Sequence, residues 1–428
     1  MWPLLYNFLF FPLIRILAYL FSFRNTKIRE SLNGKRGLWK RLESHLLKRD
    51  MTGKLIWFHV PSAGEFLQAQ PLLELFLNND YDCVVTYNSV SAEKWIHKSK
   101  INAKKEPLFL DYIPFDTKRS IRRWIQTVKP SVLVFVKFDL WPNLIWQTSK
   151  ANIPIYLISA TLHAKTKRYS SAIGRSLYGD LYSRFKLILT VTEDDKRRFL
   201  ETNAGLNVEA FGDTRFDSVI SRRDKQIPPD FPAYVQKKRV FIVGSCWPPD
   251  EKCIFPVLKE ALAKYPDLML IIAPHEPTSE HLKDSEDFFK DEKLVRLSAL
   301  NANSKVEFNV VLVDSVGVLS SIYKVGDFAY VGGGFTTGVH NVMEPCAFGL
   351  PVFFGPFHYN SPEALQLVSD QLAFPVNNSE DFKPGLERLL SNPDKARQLG
   401  QKARQFIESQ AGASEKCFQI ISREINEN

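Results

Sequence analysis

Cysteine is scarce in this sequence. Five occur among 428 residues, at Cys83, Cys246, Cys253, Cys346 and Cys417. None forms a C-x-x-C pair, and none shares zinc-like spacing with a histidine. That argues against a disulfide framework and a structural zinc module, and a reducing compartment is the simple inference. Lone cysteines of this kind read as small core residues rather than catalytic thiols. No Walker loop and no G-x-G-x-x-G fingerprint is present. There is no short internal repeat, no low-complexity tract, and no recognition motif or basic–aromatic stripe for nucleic acid. The one acidic run, Glu193, Asp194 and Asp195, opens an amphipathic stretch and reads as helix-start acids. No metal site is expected.

What is present is a chain long enough for two or three domains. Hydrophobic residues make up 45% and charged residues 24%, as in folded proteins. The formal net charge of +9 favours anionic partners: acidic lipid, a phosphorylated substrate or nucleic acid. Residues 4–23 read LLYNFLFFPLIRILAYLFSF, about the 20 apolar residues that a bilayer core requires. Pro12 and Arg15 interrupt the run, and a mid-membrane arginine is costly. Arg24, Lys27, Arg29, Lys35, Arg36, Lys40 and Arg41 follow it, the reverse of a signal peptide. A basic flank on that side keeps the remainder cytoplasmic. Residues 1–24 are therefore expected to anchor the chain, across the membrane or in its interface. The alternative is a buried N-terminal helix.

Beyond residue 50, short apolar runs alternate with amphipathic stretches. Strands are expected at 55–60, 83–86, 132–136, 155–159, 187–192 and 208–211, with helices at 66–77, 117–128 and 194–202. Residues 221–234, SRRDKQIPPDFPAY, read as a domain boundary. The alternation then restarts, with strands at 240–243, 268–272, 310–313, 328–331 and 352–354 and helices at 251–263, 318–324 and 344–348. A helical tail covers 394–421. The expected fold is α/β: two Rossmann-like doubly wound domains, at 25–221 and 222–428, facing a cleft. Ligands of such sheets bind beyond the carboxyl ends of the strands.

Candidate residues sit there. In HVPSAGEF, Glu65 lies at a helix start, where an ionised carboxylate can deprotonate a hydroxyl or simply cap the helix. In FVKFDLWPN, Lys137 and Asp139 follow a buried strand, as functional groups or as a structural ion pair. In FGDTRFD, Arg215 can stabilise developing phosphate charge. In the second half, Gly244 and Ser245, Pro274 and His275, and Ser315, Val316 and Gly317 sit at strand ends, where glycines and small residues allow backbone N–H contacts to a nucleotide. The strongest segment is YVGGGFTTGVHNVMEPCAFGLPVFFGPFHYNSPEA. It combines Gly333 with Asn341, Val342, Met343 and Glu344 at the next helix start, then His358, Asn360 and Glu363. A carboxylate such as Glu344 can accept both hydroxyls of a ribose.

As an ordered set these segments resemble the family of 3-deoxy-D-manno-oct-2-ulosonic acid (Kdo) transferases. Ser62-Ala63-Gly64-Glu65 resembles the family's serine–valine–glycine–glutamate turn, and Leu140-Trp141-Pro142-Asn143 matches a second motif. Residues 212–217 resemble its hinge, with Arg215 where the family has lysine. Val331-Gly332-Gly333 through His340-Asn341, Glu344-Pro345, Gly355-Pro356, His358, Asn360 and Glu363 resemble its C-terminal signature. The resemblance implies a GT-B fold, CMP-Kdo as donor and lipid A precursor as acceptor. It places the enzyme at the cytoplasmic face of the inner membrane, beside anionic lipids. It also implies inversion without a metal, and no cofactor besides the donor substrate. Glu65 then resembles the general base and Arg215 a transition-state stabiliser. Pro274-His275, Val316-Gly317-Val318 and Asn341 to Glu344 resemble CMP-contacting segments. Four places depart from the family pattern. Lys137-Phe138-Asp139 replaces Glu-Thr-Glu, Pro274-His275-Glu276 replaces Pro-Arg-His, Gly317-Val318-Leu319 replaces Gly-Glu-Leu, and Thr161-Leu162-His163 replaces an arginine–leucine–serine segment. The competing readings are a GT-B enzyme with a UDP-sugar, a sugar-nucleotide epimerase, and a non-catalytic membrane-bound nucleotide-binding relative.

Overall fold

A computed structural model describes the chain except for residues 47–52, 98–100, 138, 163–165, 167–170, 302–306 and 428. Phe138 and His163 of the motifs above therefore lie outside the described residues. The chain forms two compact units, residues 1–218 with 411–428, and residues 219–410.

The first unit holds one parallel sheet of β1 (Leu55–His59), β2 (Asp82–Tyr87), β3 (Phe109–Tyr112), β4 (Val132–Val136), β5 (Ile155–Ala160), β6 (Leu187–Thr190) and β7 (Val208–Ala210), in the order 3-2-1-4-5-6-7. Both faces are covered. Along β1, Leu55 and Trp57 join one buried cluster and Ile56 and Phe58 the other, the two-residue period of a strand. Helix Lys118–Val128 buries Ile121, Trp124, Ile125 and Val128, the stripe its sequence period predicts. The strand order reverses between β1 and β4, which is where such sheets open a crevice.

The second unit repeats the plan with β8 (Arg239–Cys246), β9 (Leu268–Pro274), β10 (Leu294–Arg296), β11 (Val310–Leu312), β12 (Phe328–Val331), β13 (Val352–Phe354) and β14 (Ala373–Pro375), in the order 10-11-9-8-12-13-14. Its reversal lies between β8 and β12.

Two boundaries differ from the sequence reading. Helix Thr214–Lys225 runs into the expected linker, so only 226–232 lacks regular structure before the turn Ala233–Lys237. The C-terminal domain, expected to reach 428, ends at 410. The tail is two helices, Pro393–Ser409 and Ala413–Glu427, parted by Gly412 at φ +107°. The last helix buries Cys417, Ile421 and Ile425 in the first unit's core, where Phe418 meets Phe76 at 4.9 Å between ring centroids. Asp217 fixes that turn by accepting from Gly412 N (2.6 Å) and Ser414 N (2.8 Å).

The apolar N-terminus forms a helical run, Trp2–Ser22, long and apolar enough to cross a membrane. A π-helical turn, Tyr6–Phe10, precedes Pro12, whose missing N–H disturbs the regular ladder. One stripe of this run is docked on the first unit. Trp2 Nε1 donates to Ser176 Oγ (3.0 Å) and Tyr6 Oη to Asp116 Oδ2 (2.9 Å), while Asn7 and Asn143 exchange two amide bonds of 3.0 Å. Tyr6 and Phe11 are buried, whereas Phe8, Leu9, Leu13, Ile16 and Leu20 are exposed.

Candidate active site

In the first unit the strand ends at the reversal point carry the candidate acid–base groups. β1 ends at His59, and helix Ala63–Asn78 starts after the Ser62 cap, which puts Glu65 in its first turn. The Ser62 hydroxyl donates to the Glu65 carboxylate. Lys137, just past β4, brings Nζ to 3.6 Å from Glu65 Oε1, with the two side chains 27% and 14% exposed. The carboxylate thus has a cationic partner yet remains reachable. Asp139 Oδ2 accepts from Trp141 Nε1 at 3.0 Å and lies 3.9 Å from His59 Nε2. Glu65, Lys137 and Asp139 therefore share one strand-end neighbourhood.

His59 is not a cation there despite its carboxylate neighbour. Burial, reinforced by the Lys35 ammonium, pushes the imidazole down to about 3, against a weaker pull from Thr86. Nδ1 lies 3.1 Å from Thr86 Oγ1, and Nε2 is buried without a hydrogen-bond partner among the described residues.

Among the described residues, three non-glycine residues at the carboxyl ends of strands have left-handed backbones: Lys137 (φ +63°), Ser159 (φ +51°) and Ser245 (φ +54°). Each costs of order 1–3 kcal/mol, and such strain collects where function needs a fixed geometry. Ser159 Oγ lies 2.7 Å from Thr214 Oγ1, tying the end of β5 to the segment after β7. Arg215 follows, held by buried Asp213 through its N–H (2.8 Å) and its Nε (2.6 Å).

In the second unit, Asp250 organises the strand ends at the reversal point. It is fully buried and accepts from Tyr330 Oη (2.9 Å), Gly333 N (3.0 Å) and Trp247 N (3.0 Å). These bonds lock the turn after β12 to the start of helix Pro248–Lys264. Gly333 has φ +90°, and a Cβ there would sit 2.5 Å from Gly338 O. Gly244 is a packing glycine, because a Cβ would strike the Tyr323 hydroxyl. His275, after Pro274, stacks between Trp247 and His340 with both centroid distances 4.5 Å. Trp247 Nε1 donates to His340 Nε2 (3.0 Å). Burial, then neighbouring His275, lowers the His340 pKa, so it stands as a neutral acceptor.

The remaining candidates line the same edge. Val316 is 74% exposed beside Gly317 (φ +90°), and Val318 precedes the short helix Leu319–Ile322. Asn341 Oδ1 accepts from Met343 N (3.1 Å), and Val342 opens helix Met343–Ala347. Glu344, in that helix's first turn, pairs with Arg222 at 2.7 Å. The Asn360 side chain packs against Gly338, and Glu363 is buried in the first turn of helix Pro362–Ser369. Glu193, Asp194 and Asp195 form a helix first turn under a Thr192 cap, with Lys196, Arg197 and Arg198 as ionic partners.

Sequence reasoning missed Asp250, Arg222, Trp247 and His59 as site residues. Asp250 alone had a local signal, an acid three residues after Trp247 and behind two prolines.

Residues 32–218 match the family model for 3-deoxy-D-manno-octulosonic-acid transferase (kdotransferase), and residues 255–406 match the model for glycosyl transferases group 1. A putative UDP-N-acetylglucosamine 2-epimerase from Listeria monocytogenes has the same fold, with a TM-score of 0.62 at 14% identity, over 88% of this chain and 98% of that one. With two Rossmann-like units of this kind, the protein is a glycosyltransferase of the GT-B fold class. The 3-deoxy-D-manno-octulosonic acid transferase of Haemophilus influenzae is 28% identical over 386 residues, covering 87% of this chain and 88% of its own. That of Aquifex aeolicus is 29% identical over 341 residues, covering 78% and 86%. Over most of its length the chain is thus similar to Kdo transferases.

Proposed function

We propose that the protein transfers Kdo from CMP-Kdo to lipid A precursor in lipopolysaccharide synthesis. Inversion at the anomeric carbon, no metal requirement, and work at the cytoplasmic face of the inner membrane complete the reading. Similarity to Kdo transferases supports the class of reaction. The observation that carries the mechanism is Glu65, partly exposed in a helix first turn and 3.6 Å from Lys137.

Glu65 takes the proton of an acceptor hydroxyl. That oxygen attacks the anomeric carbon of Kdo, and the bond to the CMP phosphate breaks, CMP leaving with the electron pair. Charge develops on the phosphate as the sugar flattens. Arg215 offsets it. Lys137 holds the Glu65 carboxylate where the family commonly has a carboxylate of its own. In the second unit, Glu344, oriented by Arg222, accepts ribose hydroxyls, and the His275 stack borders the nucleotide. The basic segment after residue 23 holds the enzyme at an anionic bilayer.

The test is transfer from CMP-Kdo, generated in situ, to lipid A precursor, run with EDTA and read by product mass. A gain of one or more Kdo units is expected, with CMP rather than UDP as competitor. No gain from intact enzyme and lipid would refute the donor–acceptor pair. Glu65→Gln is expected to lower turnover by about 10²–10⁴ while CMP binding stays near that of the parent.

A further inference from the structure

A pocket of about 490 Å³ lies between the N-terminal helix and the first unit, within the roughly 300–1,000 Å³ of ligand sites. Ile14 and Ala18 of the helix, Ile28 and Leu32 of helix Thr26–Gly34, and Ile113 and Phe115 after β3 give it apolar walls. Arg15 and Lys35 also line it, both near the Phe115 ring at 5.5 and 5.4 Å from its centroid. Lys27 is a third cation on the wall. The lining carboxylates are Glu30 and Asp116. Asp116 is committed elsewhere, accepting from Tyr6 Oη (2.9 Å), Asn143 N (3.1 Å) and Leu144 N (2.8 Å).

Lys35 donates to Asn88 Oδ1 (3.0 Å) and Ile113 O (2.9 Å), which engages two of an ammonium's three N–H groups. Burial pulls its pKa down to about 8, opposed by Asp116 and Asp139, so an added anion would favour the charged form.

The docking of the helix says where this pocket opens. A stripe from Trp2 through Tyr6, Asn7 and Phe11 to Arg15 contacts the first unit. A helix fixed from Trp2 to Arg15 against a folded domain lies at the membrane surface, because that domain cannot follow it into hydrocarbon. The exposed Leu13, Leu17 and Leu20 then face the acyl region. The pocket also adjoins the catalytic strand ends, since Trp141 lines it and donates to Asp139.

We infer that this pocket is an acceptor subsite, taking one acyl chain of the lipid along its apolar walls and a phosphate at its cationic rim. The inference rests on the acceptor being a phosphorylated membrane lipid. Its test reads binding, not transfer. The full chain in zwitterionic nanodiscs is exposed to lipid A precursor carrying a diazirine in one acyl chain, and labelled peptides are identified by mass. Label is expected within residues 11–35. Ala18→Trp and Ile28→Trp, which fill the pocket from two walls, should each reduce it at least tenfold while keeping the parent melting temperature. Phosphatidylglycerol with the same diazirine chain should label at least tenfold less. Label unchanged in the variants that fold, or equal labelling by phosphatidylglycerol, would overturn the inference. Transfer without pocket labelling would overturn it alone. Labelling without transfer would support the subsite and sink the catalytic reading instead.

Discussion

Acidification should weaken the first unit through a single buried ring. His59 is held neutral by burial, its pKa near 3 against an ordinary value near 6.5. The unfolded chain therefore binds a proton that the folded chain refuses between those two values. The associated stability is complete above pH 6.5 and is lost as pH falls toward 3. Each pH unit below 6.5 costs about 1.4 kcal/mol, so the loss by pH 5 is about 2 kcal/mol. His59→Phe removes the titration while keeping a ring beside Phe135, now 5.6 Å away and edge-on. It gives up the contact with Thr86, about 1 kcal/mol at every pH. Thermal unfolding followed by tryptophan fluorescence at pH 8 and pH 5 separates the two effects. The parent should lose about 4–8 °C more than the variant between those pH values. Equal losses would refute the reasoning. They would mean that Asp139, at 3.9 Å, holds the imidazolium as well as water does.

Asp250→Ala should strand the buried N–H groups of Trp247 and Gly333 and the Tyr330 hydroxyl. About 3–5 kcal/mol of stability should go, with CMP affinity falling at least tenfold by calorimetry. Arg215→Ala should cut turnover by about 10², whereas Arg215→Lys should stay within about tenfold of the parent because a cation remains. Steady-state transfer rates at saturating donor distinguish them, and equal losses in both would point to Asp213 packing rather than charge.

Much of the architecture was readable because central strands are buried on both faces and so are continuously apolar. β1, β4, β5 and β12 were placed to within a residue or so. β3, β10 and β14 were not. They are edge strands of four, three and three residues, and β3 carries Asp111, which Arg41 engages at 2.5 Å. One partner and a polar residue erase the apolar signal. The same split holds at the site. The place of Glu65 in a helix first turn was legible because a strand, a small-residue turn and a helix start are adjacent in sequence. The Arg222–Glu344 pair and the cluster of Lys35 with Asn88 and Ile113 join distant segments, and one sequence does not announce such partners. The expected C-terminal limit failed for a related reason. The tail's helical period says that one face is buried, but not in which unit.

That tail has a consequence for how the protein is made. Because residues 411–428 complete the core begun at β1, the second unit is an insertion within the first. On the ribosome, residues 219–410 emerge whole and can fold while the first unit still lacks Cys417, Ile421 and Ile425. The part synthesised first is finished last. A premature stop after Gln410 would therefore leave the second unit intact and expose the core of the first, a lesion at one end of the gene felt in the product of the opposite end.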